Sequence, residues 1–189
     1  DNYVRQAMLR AKSPIVGLRY FNVYGARESH KGQMASMAWH FYQQFVEHRK
    51  VRLFRGTGGY GDGEQLRDFV NVDDVVKVNV FFSDHTEMSG IYNVGTGHSR
   101  SFNDLALAVI NGLALLNGEP VVERQQALSQ GWLEYFSMPD TLISRYQHFT
   151  EADISRLRNQ GYVAPFLTLE EGVTKYVTEL HHRARSVLE

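Results

Sequence analysis

Cysteine is absent from the sequence, and this absence excludes disulfide bonds and thiolate metal sites. It is compatible with a reducing cytoplasm, which is where we expect the protein to act. Long apolar runs are absent too, since no stretch approaches the roughly 20 residues that a membrane-spanning helix needs. The missing apolar runs predict that no membrane partner is involved. No histidine lies in a cluster with metal-ligand spacing, so we expect no metal site.

Charge of one sign is also lacking. The 189 residues carry 20 Lys and Arg against 21 Asp and Glu, for a formal net charge of -1. Basic residues never occur in runs longer than two, so no general nucleic-acid surface is indicated. A hydrophobic fraction of 43% suffices for a globular core. The sequence opens at Asp1 inside an amphipathic helical pattern without Met, and we expect it to be part of a longer protein.

Strand-like and helix-like segments alternate along the whole chain, which predicts an α/β protein. Predicted strands lie at 15–23, 51–55, 67–72, 89–95 and 132–138. Predicted helices lie at 1–11, 34–48, 75–83, 101–117, 152–160 and 169–182, with 119–133 a variable connection. Box-like helix starts occur at Ser101, Thr150 and Thr168, each followed three residues later by an acidic residue.

The first predicted strand opens into a charged loop at 26–33. Open α/β sheets bind their ligands where strands end in this way, so the loop is the first candidate for a site. Lys31 could act there as a general acid or base, because desolvation tunes a lysine toward neutrality. An ordinary solvated lysine is the alternative, and from the residues alone it is the commoner case.

Two further patterns suggest phosphate chemistry. Residues 56–61, GTGGYG, match G-x-G-x-x-G, but a strand rather than a helix follows, so we interpret them as a mobile loop at the mouth of a site. Arg67, beyond that loop, suits bidentate recognition of a phosphate. The alternative, equally open, is an arginine held in structural ion pairs around Asp68. By its position alone, His40 is predicted to be an ordinary histidine rather than a ligand.

Three motifs resemble those of extended short-chain dehydrogenases/reductases. They are RYFNVYG at 19–25, similar to RxxNxYG; RDFVNVDDV at 67–75, similar to RDFxxVxDV; and NVGTG at 93–97, similar to NxGxG. Within that family, segments 27–36, 54–57 and 144–147 are most similar to the ADP-glyceromanno-heptose 6-epimerases. Segments 58–64 and 111–130 are longer than those epimerases lead us to expect.

The resemblance implies the C-terminal part of a Rossmann-type fold with a smaller α/β substrate domain. Segments 1–25, 67–97 and 168–185 would complete the Rossmann domain, and 26–66 and 98–167 would form the substrate domain. The complete enzyme would use NADP to epimerise C6 of ADP-glycero-manno-heptose by transient oxidation, in lipopolysaccharide core biosynthesis. We expect a homo-oligomer, and no turnover from these 189 residues alone.

The resemblance also implies roles for individual residues. Lys31 would be one catalytic acid/base and would face the cofactor together with Val23, while a tyrosine of a YxxxK motif, absent from this sequence, would be the other. The implied substrate contacts are Asn22, Gln33, His40, Phe54, Arg55, Gly56, Thr57, Arg67 and Tyr146. Two alternatives remain: a related epimerase or dehydratase for UDP- or dTDP-sugars, and a non-catalytic nucleotide-sugar-binding module.

Overall fold

The computed structural model describes residues 1–186. In chain order its strands are β1 (Val16–Tyr20), β2 (Asn22–Tyr24), β3 (Val51–Phe54), β4 (Leu66–Arg67), β5 (Phe69–Asn71), β6 (Gly90–Val94), β7 (Arg100–Ser101) and β8 (Leu133–Phe136). The α-helices are α1 (Asn2–Met8), α2 (Met37–His48), α3 (Val72–Asp84), α4 (Phe102–Leu116), α5 (Arg124–Ser129), α6 (Asp140–Ile143), α7 (Ser155–Asn159) and α8 (Leu169–Ser186).

The strands associate in pairs, and three of the four pairs are parallel. β1 pairs with β6, β2 with β5, and β3 with β8, whereas β4 and β7 form the antiparallel pair. Parallel neighbours need crossover connections, and here helices supply most of them. The predicted α/β class is therefore confirmed.

Two hydrophobic cores hold these elements together. The larger core lies between α2, α4 and α8, where α4 and α8 approach closely at Gly112. The smaller core contains Val70 of β5, Val78 of α3, Tyr92 of β6 and Leu157 of α7. Every one of these four side chains is almost completely buried, so the smaller core packs helices against the parallel strands. The division of the chain into domains stays a prediction.

The predicted strand at 15–23 was wrong in one respect, because it is interrupted at Phe21. The amide of Phe21 donates to Val94 (3.0 Å), whereas the amide of Asn22 donates to Asp68 (3.0 Å), so the chain changes its partner strand there. The strand is also not buried throughout, since Arg19 and Tyr20 are exposed. Continuous apolar patterning could not show this change of partner.

Other predicted boundaries need smaller corrections. The strand at 67–72 is interrupted at Asp68, whose carboxylate binds Thr96, Gly97 and Ala152. The connection at 119–133 contains α5, which begins with a capping box formed by Glu123 and Gln126. The helix at 152–160 begins later, at Ser155, because the Asp153 carboxylate accepts a bond from the amide of Ser155 (2.9 Å) instead of closing a box with Thr150. The boxes at Ser101 and Thr168 are confirmed.

Asp68 joins three segments of the chain through one buried carboxylate. Its oxygens accept bonds from the amide and hydroxyl of Thr96 at 2.8 and 2.7 Å. They also accept from the amides of Gly97 (2.9 Å) and Ala152 (3.1 Å). Because four donors converge on a side chain that is 0% exposed, removing an acceptor would leave buried N–H groups unpaired.

We predict that Asp68→Asn lowers the free energy of unfolding by about 2–3 kcal/mol, since the new NH2 group would face donors. Urea unfolding of the purified protein measures the loss. Asp84→Asn, an equivalent change at an exposed position near the end of α3, is the control and should change stability by less than about 0.5 kcal/mol. Equal stability of the two variants would contradict the role given to Asp68.

Candidate functional site

A cavity of about 370 Å³ lies between α2, β3, β8 and the start of α4. Its volume falls within the range of small-molecule sites, and its lining combines aromatic and aliphatic surface with a few polar groups. The lining residues are Met37, Phe41, Gln44, Arg52, Leu53, Phe54, Gln65, Arg67, Phe102, Phe136 and Tyr146.

Arg67 is the buried positive charge of this cavity, with only 7% of its surface exposed. Its guanidinium lies over the rings of Tyr146 and Phe102, at 5.1 and 5.7 Å from their centroids. It donates to the backbone carbonyl oxygens of Leu66 (2.8 Å) and Gln147. Within residues 1–186 no carboxylate pairs with it, because Asp68 is turned toward Thr96. The alternative of a structural ion pair with Asp68 is therefore wrong, and recognition of an anion by Arg67 stays a prediction.

Burial affects the titration of both members of this stacked pair. It lowers the pKa of Arg67, while the hydroxyls of Tyr146 and Tyr60 act in the opposite direction. Burial raises the pKa of Tyr146, and the positive charge of Arg67 opposes that rise. Arginine remains charged in proteins, so the cavity presents a cation beside a neutral phenol.

Three of the predicted substrate contacts line this cavity together: Phe54, Arg67 and Tyr146. The rings of Phe54 and Tyr146 meet edge to face, with centroids 6.0 Å apart. Phe54 ends β3, and Arg55, Gly56 and Thr57 follow directly, so the next three predicted contacts continue from the cavity wall.

Each of those three residues is held by a different group. The amide of Arg55 donates to Phe136 (2.8 Å), and that of Gly56 to Asp62 (2.8 Å). The hydroxyl of Thr57 lies 3.0 Å from Nε2 of His148.

The charged loop is ordered by Glu28, a carboxylate that is 4% exposed. It accepts bonds from the amide and hydroxyl of Ser36, both at 2.6 Å, and from the hydroxyl of Tyr176 at 2.8 Å. Ser36 also caps α2, so Glu28 ties the loop to the start of α2 and to the middle of α8. Burial, together with the bond to Glu28, raises the pKa of Tyr176.

Lys31 and Gln33 lie on a 3-10 segment, Ser29–Met34, that Glu28 precedes. Both side chains are exposed, and the Lys31 amine makes no hydrogen bond or ion pair within the described part of the chain. Met37 lines the cavity soon afterwards, so the loop that carries Lys31 leads into the cavity wall. Lys31 is thus available to a ligand, and its catalytic role stays a prediction.

The remaining predicted contacts lie around the same loop and β2. Nε2 of His40 lies 3.4 Å from the carbonyl oxygen of Gln33, so the structure brings these two residues together. Asn22 is exposed, and its Oδ1 is 3.5 Å from the hydroxyl of Thr150. Val23 is half-buried and packs against the smaller core. Their assignment to substrate or cofactor stays a prediction.

Several residues important to the site were not predicted. Gln65 is 1% exposed and lines the cavity, and its amide donates to the carbonyl oxygen of Arg55 at 3.1 Å. Phe136 lies opposite Phe54 in the register of β3 and β8. Phe102 follows the predicted helix cap at Ser101, which was the only local signal. No local sequence signal shows that residues 54 and 136 are neighbours, because the pairing of β3 with β8 brings them together.

Residues 1–186 contain neither a metal-binding cluster nor a membrane-spanning helix. No group of three or more His, Asp or Glu side chains could hold a metal ion there. Among the helices of that region, none combines the length and the apolar character needed to cross a membrane.

Comparison with known proteins identifies the family of this chain. The sequence model of the NAD dependent epimerase/dehydratase family matches residues 1–95. The chain belongs to this family. The family assignment agrees with the Rossmann-like α/β fold and with the three motifs, and it makes the protein a relative of nucleotide-sugar epimerases and dehydratases.

Solved structures of such enzymes resemble the chain over almost its whole length. The ADP-L-glycero-D-manno-heptose-6-epimerase of Helicobacter pylori is 30% identical with a TM-score of 0.70, and the match covers 94% of this chain and 48% of that one. A UDP-glucose 4-epimerase of Thermotoga maritima, solved with UDP-glucose, is 25% identical with a TM-score of 0.69, covering 100% and 51%.

A third structure shows the likeness of the fold alone. The UDP-glucose 4-epimerase of Thermus thermophilus, in complex with NAD, is 24% identical with a TM-score of 0.69, covering 95% of this chain and 50% of that one. The chain thus spans about half the length of the structures that it matches.

Replacing Glu28 by Gln should loosen the charged loop at 26–33. The new NH2 group would face the donors of Ser36 and Tyr176 and could not accept hydrogen bonds from them. We expect hydrogen exchange of residues 28–36 to accelerate by about tenfold or more. Glu87→Gln, at an exposed position, is the matched control. Exchange as slow as in the wild type would show that Glu28 does not order the loop.

Proposed function

We propose that the protein containing this chain is an NADP-dependent epimerase that inverts C6 of the heptose in ADP-glycero-manno-heptose, for the heptose of the lipopolysaccharide core. Support comes from the 30% identity with the Helicobacter pylori heptose epimerase and from the epimerase-like segments at 27–36, 54–57 and 144–147. We propose the cytoplasm as its location and a homo-oligomer as its assembly.

The observation that carries this proposal is the burial of Arg67 in the cavity wall with no carboxylate beside it among the described residues. Burying a charge without a partner is costly, so a guanidinium that lines a cavity and faces no carboxylate is expected to meet an anion there. A diphosphate meets that requirement, because its oxygens accept bonds in the planar geometry that a guanidinium offers. The aromatic surface of Phe54, Phe102 and Tyr146 would cover the uncharged parts of a nucleotide sugar.

Only part of a nicotinamide cofactor site can lie in these residues. The start of β2, with Asn22 exposed and Val23 half-buried, could face the reactive ring, but the glycine-rich segment 56–61 leads to a strand and does not fit a pyrophosphate. When bound, the cofactor would accept a hydride from C6 and return it. The family description names NAD, and our preference for NADP rests on the similarity to heptose epimerases.

The residues of this chain would bind the diphosphate, orient the sugar and move one proton. Arg67 would hold the diphosphate, and Asn22, Gln33 and His40 would orient the sugar near the charged loop. Lys31, whose amine is unpaired within the described residues, would remove the proton of the C6 hydroxyl of one epimer as that hydroxyl becomes a carbonyl, and in the reverse direction it would donate a proton to the carbonyl oxygen. Inversion needs a second acid/base on the opposite face, and we assign it to a YxxxK tyrosine outside these 189 residues.

A UDP-sugar epimerase or dehydratase is the second candidate. The 25% identity with the Thermotoga maritima UDP-glucose 4-epimerase supports it. Such an enzyme would share Arg67 but would not need Lys31. Parallel assays of the complete protein with ADP-heptose and UDP-glucose separate the two, since preferred turnover of UDP-glucose would overturn the heptose proposal.

In the complete protein, Lys31→Met should lower kcat for ADP-heptose by about 100-fold or more, because a positioned proton donor is lost. Binding of ADP-heptose should change by less than about threefold, since the diphosphate contacts remain. Lys12→Met makes the same change at an exposed position outside the site and should leave kcat unaltered. Unchanged turnover of Lys31→Met would remove the role of Lys31.

Arg67→Leu should weaken the binding of ADP by about tenfold to 100-fold, measured by titration calorimetry. Arg67→Lys should recover part of the affinity, because it keeps the charge but loses the planar group that stacks on Tyr146. Arg10→Leu, at an exposed position after α1, is the control. Unfolding curves are needed beside the titrations, since Arg67 also binds two backbone carbonyls. Wild-type affinity in a folded Arg67→Leu variant would contradict the proposal.

A further inference from the structure

His148 lies against the glycine-rich loop, which we define as residues 56–63. Its Nε2 is 3.0 Å from the hydroxyl of Thr57, near the start of the loop. Its ring is stacked on Tyr60 from the middle of the loop, with centroids 5.9 Å apart and planes inclined by 11°. One imidazole therefore contacts the loop at two points by two different interactions.

The backbone around His148 is fixed to the strand that carries Arg67. The carbonyl oxygen of His148 accepts a bond from the amide of Leu66 (2.8 Å), and the amide of Thr150 donates to the carbonyl of Leu66 (3.1 Å). The ring of Tyr146 also meets the imidazole edge to face at 5.5 Å. His148 thus joins the loop to the two residues that form the cationic end of the cavity.

The loop backbone packs closely on the face of the imidazole at Gly58. A Cβ added there would lie 2.7 Å from Cε1 and Nε2 of His148. Gly59 also has a positive φ, 86° against 62° for Gly58, but a Cβ added at Gly59 would meet nothing within 4 Å. The chain therefore offers two neighbouring glycines with similar backbone constraints, and only one of them is pressed against His148.

The bond to Thr57 has a chemical consequence for a ligand. A threonine hydroxyl carries one proton, so the neighbouring group decides what the hydroxyl can still offer. When Nε2 carries the imidazole proton, it donates to Oγ1 and leaves the threonine proton for an acceptor such as a phosphate oxygen. When Nε2 is unprotonated, it accepts that proton itself, and the hydroxyl presents only lone pairs.

From these contacts we infer that His148 is a positioning residue for nucleotide-sugar binding: it holds the glycine-rich loop against the Arg67 end of the cavity and orients the Thr57 hydroxyl toward the ligand. This inference rests on the proposed function, because it takes Thr57 and Arg67 as contacts of a nucleotide sugar.

The test separates the ring of His148 from its hydrogen bond in the complete protein. His148→Phe keeps a ring against Tyr60 and Tyr146 but cannot bond Thr57, whereas His148→Ala loses both. We expect both variants to raise KM for ADP-glycero-manno-heptose by about tenfold with kcat within about twofold. Hydrogen exchange of residues 56–63 should accelerate in His148→Ala and remain close to wild type in His148→Phe.

Two comparisons show whether His148 acts through the loop. Gly58→Ala should accelerate exchange of the loop and raise KM, while Gly59→Ala, with a comparable backbone constraint, should do neither to the same extent. Thr57→Val and His148→Phe should each raise KM, and the double variant should cost little more than either alone, as expected for partners in one interaction. His48→Phe, at the exposed end of α2, is the control for a general effect of losing a histidine.

The outcomes distinguish this inference from the proposed function. Wild-type protein that neither binds nor converts a nucleotide sugar would overturn both the proposed function and the substrate role of His148, while the exchange data would still show whether His148 anchors the loop. Active wild-type protein with unchanged KM in His148→Phe, or strictly additive effects of Thr57→Val and His148→Phe, would overturn this inference alone.

Discussion

The rest of the structure depends on two adjacent side chains that point in opposite directions. Arg67 points into the cavity, and Asp68 points toward Thr96, Gly97 and Ala152. Asp68 is saturated by the donors of Thr96, Gly97 and Ala152, so its carboxylate is unavailable to the arginine beside it. Successive side chains of an extended segment point to opposite sides, so the acid faces Thr96, Gly97 and Ala152 while the base lines the cavity. The buried acid thereby leaves a buried cation without an anionic partner among the described residues, and our proposal of a binding site in the cavity depends on this imbalance.

A second buried carboxylate organises the other side of the site. Glu28 accepts bonds from Ser36 and Tyr176 and so fixes a polar, exposed loop without burying the loop itself. Lys31 consequently stands on an ordered segment while its amine remains in contact with solvent. This arrangement suits a group that must exchange a proton, because the scaffold holds the backbone without using the functional side chain.

The sequence predicted those features that depend on local pattern or on motifs. The α/β class, most helices and strands, and the caps at Ser101 and Thr168 were predictable, because apolar periodicity and capping residues are local signals. The motif RDFVNVDDV singled out Arg67, which lines the cavity, and its role as a ligand contact stays a prediction. Its burial and its lack of a carboxylate partner were not predictable, since both depend on where Asp68 points.

The contacts that complete the site are long-range, and no local signal reports them. Glu28 meets Tyr176 across 148 positions of sequence, and Thr57 meets His148 across 91. The pairing of β3 with β8, which brings Phe136 opposite Phe54, is of the same kind. The interruption of the first strand at Phe21 also escaped prediction, because an apolar run does not reveal that its two halves pair with different strands.

The contact between Glu28 and Tyr176 sets the order in which the site can form during synthesis. Chains emerge from the ribosome with their N-terminal parts first, so the segment that carries Lys31 appears long before α8. Until Tyr176 has been made and α8 has docked on α4, Glu28 lacks the donor that closes its hydrogen-bond set. The charged loop therefore acquires its final geometry late in biosynthesis, and a nascent chain carries the candidate proton donor before it has the shape to use it.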